Sequence, residues 1–557
     1  MVLNLTGWPL RGFDDSHSRA STCVAKDAKP PTRRKLVRAK RHPLLQNIFM
    51  PIHTTLRILA LALLLACHPR YGKCEVRLPG ILSSHMVLQR ERPIHIWGWS
   101  APGEQVAVAF HGVSRDIVGS SLGNWSVFLP PEAAGGPYQL TVTSSNKIVL
   151  DDVLIGDVWF ASGQSNMEMP LKGFRGAPLK DSTEEIAHAG QPQIRLLHVP
   201  NKAADFPLRN SDASWTVCSP QTASNFSAVA YFFGRELNAR EHVAIGLIDA
   251  TWGGTPAEAW VSLQSISADA ALMPVFATRA HMMQTQGETA EILASERRED
   301  LAARQAGRTP PEHPWRPDPA SWAPAALFNG MVAPAVAYTI KGVIWYQGES
   351  NSRRAFAPMY ARIFPVLIAD WRTQWHEGDF PFLFVQIANF KSNATEEWAI
   401  IREAQRRSLS VANTAMVVTV DIGDPDNVHP ADKQTVGARL ALAARALAYG
   451  ENVEYSGPLF REATPDGEGV RVWFDHAANG LVARGGDLQG FEIAGDDGRF
   501  VTATARIDGK TVVVGNARVA EPKSVRYGWA NAPVVNLYNS EGLPASPFTS
   551  EDAIPAP

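Results

Sequence analysis

The sequence predicts an α/β protein, a doubly wound parallel sheet with a β-rich region on either side. Three observations predict it. Between about 157 and 450, short apolar runs alternate with longer stretches of helical period, the rhythm of parallel strands joined by crossover helices. From 76 to about 155 the runs are short, alternating and broken by turn residues. From about 451 the chain returns to that β-like pattern. At 557 residues it is also too long for one compact core.

The first 75 residues differ from the rest. Positions 26–41 hold Arg33, Arg34, Lys35, Arg38, Lys40 and Arg41 without apolar periodicity, and read as unfolded or as an over-long start. Met50 opens "MPIHTTLRILALALLLACHPRYGKC" and is the expected working start. The apolar run 58–66 is too short to span a bilayer and has the length of a signal-peptide core. "LLAC" at 64–67 has the form of a bacterial lipoprotein cleavage box. Two outcomes stay open: a lipid anchor on Cys67, the sole expected membrane contact, or plain secretion after cleavage nearby. Either makes the protein exported, whether periplasmic, anchored to the outer membrane or secreted.

The region 76–155 ("HMVLQRERPIHIWGW", "QVAVAFHG", "WSVFLPP", "YQLTVTSS", "KIVLDDVLIG") reads as a small accessory β-sandwich. The sheet domain follows in two parts, 156–260 and 330–450. Its strands are expected at 157–162, 243–250, 342–347, 382–390 and 416–423, and its helices at 228–241, 359–375, 399–410 and 430–450. The last helix has Pro near its start and Gly at its end, as capping asymmetry requires. Between the two parts, 261–329 is rich in Ala, Glu, Arg and Pro and reads as an insertion bordering the active face. Residues 451–557 form a C-terminal β-rich region.

Composition excludes some function classes. A net charge of −2 gives no basic excess for nucleic acid. The four cysteines, Cys23, Cys67, Cys74 and Cys218, contain no C-x-x-C, so no zinc or redox motif is present. An oxidising compartment would allow Cys74 and Cys218 to pair, although nothing in the sequence calls for it. Sixteen tryptophans exceed what a core needs, which leaves some for sugar stacking.

In an open parallel sheet, ligands sit beyond the carboxyl ends of the strands. There the chain places "SGQSNM" with Ser165, "TWGGTPAEAW" with Gly253 and Gly254, "QGESN" from Gln347 to Asn351, and "DIGDPDNVHPADK" with Asp421, Asp424, Asp426 and His429. A serine hydroxyl becomes a nucleophile when a base takes its proton, and histidine is the usual base. A carboxylate then fixes the histidine tautomer, and Asp426 stands three residues before His429. Oxyanion donors are expected from the Ser165 and Gly254 amides, with the Gln347 or Asn351 side chain as a third. Taken singly, such a serine is a helix cap more often than a nucleophile and Gly-Gly is a turn; at successive strand ends they indicate a hydrolase. A second glycine is missing from any G-x-S-x-G elbow, because Met167 stands there. There is no H-E-x-x-H, phosphate loop or dinucleotide motif.

The blocks "GQSNM", "WGGTPAEAW", "LFNGMVAP", "WYQGESN" and "HPADKQTVGARLALAARALAYG" resemble the sialate O-acetylesterase-like branch of the SGNH hydrolases. "MVLQRERPIHIWGWSAPGE" and "NLYNSEGLPASPF" extend the likeness from Val76 to Phe548. The resemblance implies a flavodoxin-like SGNH domain with a five-stranded parallel sheet, accessory β-structure, and a serine esterase that removes acetyl from carbohydrates without metal or other cofactor. It implies Ser165 as nucleophile, His429 as base and Gly254 in the glycine block. The third block, normally G-x-N-D, here reads Gly348-Glu349-Ser350-Asn351, which displaces the usual oxyanion Asn and leaves Gln347 or Asn351 to replace it. Asp426 is the first choice of acid, with Asp424 and Glu349 as alternatives. The expected partner is an O-acetylated oligosaccharide or polysaccharide. Xyloglucan or xylan is slightly favoured over an acetylated sialic acid, whose carboxylate would want a cation such as Arg402.

Overall fold

The computed structural model describes residues 75–553 apart from 312, 314 and 315. Met50, the 58–66 run and Cys67 lie outside the described residues. No described helix is long and apolar enough to cross a membrane.

The sheet that carries the site is built from β1 (Lys147–Gly163), β2 (Gln191–His198), β3 (Trp215–Cys218), β4 (Ala244–Thr251), β5 (Gly342–Tyr346), β6 (Phe382–Val385) and β7 (Thr414–Val417). Its order is β7-β6-β5-β1-β4-β2-β3, parallel throughout except for β3 at the edge. The parallel part therefore has six strands rather than the expected five. The addition is β2, whose apolar run "IRLL" is interrupted by Arg195. That guanidinium is buried because Asp152 takes it in two hydrogen bonds, of 2.6 and 3.1 Å. The ion pair hides a buried strand from any reading of hydrophobicity.

Five helices flank or cap this sheet: α1 (Ser165–Glu168), α2 (Ala228–Glu241), α3 (Tyr360–Trp375), α4 (Trp398–Arg407) and α5 (Lys433–Leu447). Central strands β4, β5 and β6 and the edge strand β7 are buried at every residue, as strands covered on both faces must be. Trp345, Trp371 and Phe364 meet between β5 and α3 with ring centroids 5.6–6.3 Å apart. β6 ends at Val385, before the expected 390, because the next carbonyls leave the ladder. Those of Ile387 and Ala388 accept from Arg402 instead.

The N-terminal β region is continuous with this sheet. β1 runs seventeen residues, and its first half pairs with Gly135–Thr143 while its second half pairs with β4 and β5. The change of rhythm near 155 thus falls inside one strand. A hairpin-like pair, Ile94–Trp99 with Asn124–Leu129, alternates buried and partly exposed residues as a one-sided sheet should. The C-terminal region has its own core around Val472, Ile493, Val512, Val514, Tyr527 and Phe548, enclosed by antiparallel sheets. Arg402 joins it to the parallel sheet, because the same guanidinium also donates to Ala530 O and Asn531 O at 2.7 Å each.

Candidate active site

Ser165 is placed by the turn that leaves β1. Gly163 there has φ +138°, and a Cβ on it would come within 2.1 Å of the Tyr346 carbonyl, so only glycine lets β1 and β5 close at this point. The Gln164 amide donates to that same carbonyl at 3.0 Å, and its side-chain oxygen accepts from the Ser350 N–H at 3.1 Å. Asn166 and Met167 are buried on either flank of the turn, while Ser165 itself stays partly exposed. A Cβ on Gly253 would lie 3.2 Å from Ser165 Cβ, which ties the glycine pair closely to the serine.

His429 sits on the loop between β7 and α5. Asp421 anchors the start of that loop through two hydrogen bonds from Arg439, of 2.7 and 2.6 Å. Pro430 is buried at its end. His429 Nε2 lies 2.9 Å from Ser165 Oγ, across 264 residues of sequence. The Phe174 ring meets the imidazole edge-on at 5.2 Å. Burial and the nearby Lys433 cation pull the His429 pKa down to about 4, so the imidazole is neutral at pH 7 and able to accept a proton.

The expected acids do not join this pair. Asp426 is turned to solvent with its side chain 79% exposed, where it meets Lys391 Nζ at 3.1 Å. Asp424 accepts from the Asp426 amide and shapes the turn. The three-residue spacing from Asp426 to His429 brings the two close in sequence, but the turn points them apart. Glu349 is buried and accepts from Asn166 Nδ2 at 2.6 Å. Among the described residues no carboxylate comes within 4.0 Å of either His429 nitrogen.

The oxyanion expectations divide. The Ser165 N–H is a first-turn donor with no intrahelical acceptor, and the Gly254 N–H meets no protein acceptor among the described residues. The side-chain amides are committed elsewhere. Gln347 Nε2 donates to Thr255 O and to Asn351 Oδ1, at 3.2 and 2.7 Å, and Asn351 Nδ2 donates to Glu258 at 2.8 Å. Both side chains are buried and brace the glycine loop against the third block instead of facing the hydroxyl. Gly253 is committed too, its N–H donating to Glu168 Oε2 at 2.7 Å. Burial raises the Glu168 pKa.

Arg402, the cation considered for a sugar carboxylate, is fully buried and gives four of its five N–H groups to the carbonyls already named. Burial lowers its pKa to about 9. Most tryptophans are core as well: Trp159, Trp260, Trp345, Trp371 and Trp398 are among the largest fully buried side chains. The insertion does reach the site, since Trp322 Nε1 donates to Gly254 O at 2.6 Å.

The family model described as carbohydrate esterase, sialic acid-specific acetylesterase matches residues 313–446. Sialate O-acetylesterase of Rattus norvegicus is 30% identical, covering 88% of this chain and 97% of that protein. The chain belongs to the sialate O-acetylesterase family of carbohydrate esterases. It is a carboxylic ester hydrolase. The Homo sapiens sialate O-acetylesterase is 32% identical over 69% of this chain and 73% of its own length. Among solved structures, a carbohydrate acetylesterase from Xanthomonas citri is 37% identical with a TM-score of 0.74, covering 86% of this chain and all of that one. The matched stretch 313–446 holds Glu349, His429 and Lys433 of this esterase, together with β5, β6, β7 and most of the chain that joins them.

Sequence reasoning missed three residues at the centre of the site: Asn166, Lys433 and Glu168. The first two stand inside quoted motifs, "GQSNM" and "HPADK", and their presence in those motifs beside Ser165 and His429 was the one available signal.

Proposed function

We propose that this esterase releases acetate from O-acetylated sugars, with Ser165 as nucleophile and His429 as its base. The observation that carries this reading is the 2.9 Å contact between Ser165 Oγ and His429 Nε2 at the carboxyl edge of the sheet. His429 takes the hydroxyl proton as Oγ attacks the acetyl carbonyl. The tetrahedral oxyanion faces the Ser165 and Gly254 N–H groups. The imidazolium then protonates the departing sugar oxygen, and a water deprotonated by His429 hydrolyses the acetyl-serine. The apolar segment 58–66 supports export.

A neutral hemicellulose ester, such as one on xyloglucan or xylan, remains the first choice of sugar, supported by the partly exposed Trp252 beside the glycine pair. An acetylated sialic acid is the second reading, favoured by a different feature. Exposed Arg353 lies 5.7 Å over the Trp322 ring, which is itself bonded to Gly254 O, and among the described residues Arg353 has no carboxylate partner. Such a cation suits a sugar carboxylate.

The test is acetate release from acetylated xyloglucan, acetylated xylan and an O-acetylated sialic acid by wild type and Ser165→Ala. Release by wild type, with a drop of at least about 1,000-fold in the variant, is expected. Equal release by both would end the proposal. Arg353→Ala separates the sugars: it raises KM by roughly 10-fold on the sialic acid alone if that is the substrate, and leaves a neutral ester unchanged.

A further inference from the structure

Among the described residues His429 has no carboxylate within 4.0 Å of its ring nitrogens, yet its loop is fixed from the serine side. Asn166 follows Ser165 in α1 and is buried. Its Nδ2 donates to Glu349 Oε1 at 2.6 Å and to the Val428 carbonyl at 3.0 Å, which uses both amide hydrogens. Its Oδ1 accepts from Lys433 Nζ. Val428 immediately precedes His429, Glu349 follows β5, and Lys433 opens α5. One amide therefore joins the serine turn, the third block and the histidine loop.

We propose that Asn166, held by Lys433 and Glu349, is the positioning residue that sets His429 against Ser165, the task a carboxylate on the far nitrogen performs in a Ser-His-Asp triad. The inference rests on the reading of Ser165 and His429 as nucleophile and base. A second contact on the loop agrees with it: the His429 N–H donates to Asn427 Oδ1 at 3.0 Å. So does the burial of the whole group. Lys433 and Glu349 are both enclosed, and Glu349 Oε2 has no partner. In so dry a setting a missing bond is not replaced by water.

The charges around the imidazole are few. Lys433 faces it from α5, and Glu349 and Asp432 face Lys433 in turn. Asp424 and Asp426 on its own loop stay beyond 4.0 Å of the ring nitrogens, and Lys391 pairs with Asp426. Burial brings the Lys433 ammonium down to about 7.

The test compares wild type, Asn166→Ala, Asn166→Asp and Lys433→Met on 4-nitrophenyl acetate from pH 3.5 to 8, with circular dichroism to confirm folding. Asn166→Ala lowers kcat on the order of 100-fold with KM within about 3-fold. Lys433→Met leaves both Nδ2 bonds in place but removes the cation, so the acid limb of kcat/KM moves to higher pH, which a merely structural role would not do. A folded Asn166→Ala with kcat within about 3-fold of wild type overturns the inference. Asn166→Asp keeps an oxygen for Lys433 but has no amide hydrogens for Glu349 and Val428, so a folded Asn166→Asp with kcat within about 3-fold of wild type does so as well and decides if Asn166→Ala does not fold. A wild type no more active than Ser165→Ala would instead remove the underlying reading of the Ser165–His429 pair.

Discussion

Two histidines stand at the carboxyl edge of the parallel sheet, and each has what the other lacks. His198, at the end of β2, has a carboxylate: its Nδ1 lies 3.1 Å from Asp249 Oδ2 at the end of β4, and Thr251 steadies the other oxygen at 2.7 Å. The Asp249 hydrogen bond raises its pKa, although burial opposes this. His429 has the serine, no acid, and a lowered pKa. The His–Asp pairing that sequence reasoning sought thus exists, but at a histidine with no hydroxyl on it among the described residues. In this chain the carboxylate and the serine hydroxyl fall on different histidines, and the proposed reaction uses the one that holds the hydroxyl.

Mutation can break this comparison. His429→Ala removes the base and lowers kcat by roughly 1,000-fold or more on an aryl acetate. His198→Ala removes a half-exposed ion pair and leaves kcat within about 3-fold. The reverse ranking would make β2 and β4, rather than the β7 loop, the seat of the chemistry. Asp426→Asn is the mildest change. Surface ion pairs contribute about 0–1 kcal/mol, and this one lies in solvent, so both kcat and the melting temperature stay close to wild type.

Much of this was legible in the sequence because it follows from period and position. The helix expected at 228–241 is α2 with the same bounds, and each of the five expected strands overlaps an observed one, although β7 lies at Thr414–Val417 and shares only two residues with the expected 416–423. Ser165 and His429 meet because both follow strands of one parallel sheet. What was not legible depends on where side chains point. The spacing of Asp426 could not show that its turn faces water. Arg402 lies on a helix, yet it is buried among four carbonyls, two of them from residues 530 and 531, far off in sequence. Asn166 acts through bonds to residues 183 to 267 positions away, and no local pattern encodes them.

The pH dependence of kcat/KM for wild type and Asp426→Asn tests whether the Ser165–His429 pair works without a carboxylate on the histidine. Protonation of His429 removes the base, so activity falls as pH drops through its pKa. A plateau from neutral pH downward, an acid limb near pH 4, and superimposable profiles for the two proteins are expected. An acid limb near 6.5 to 7 in wild type, displaced to lower pH in Asp426→Asn, would contradict this expectation, because only a carboxylate stabilising the imidazolium yields that pattern.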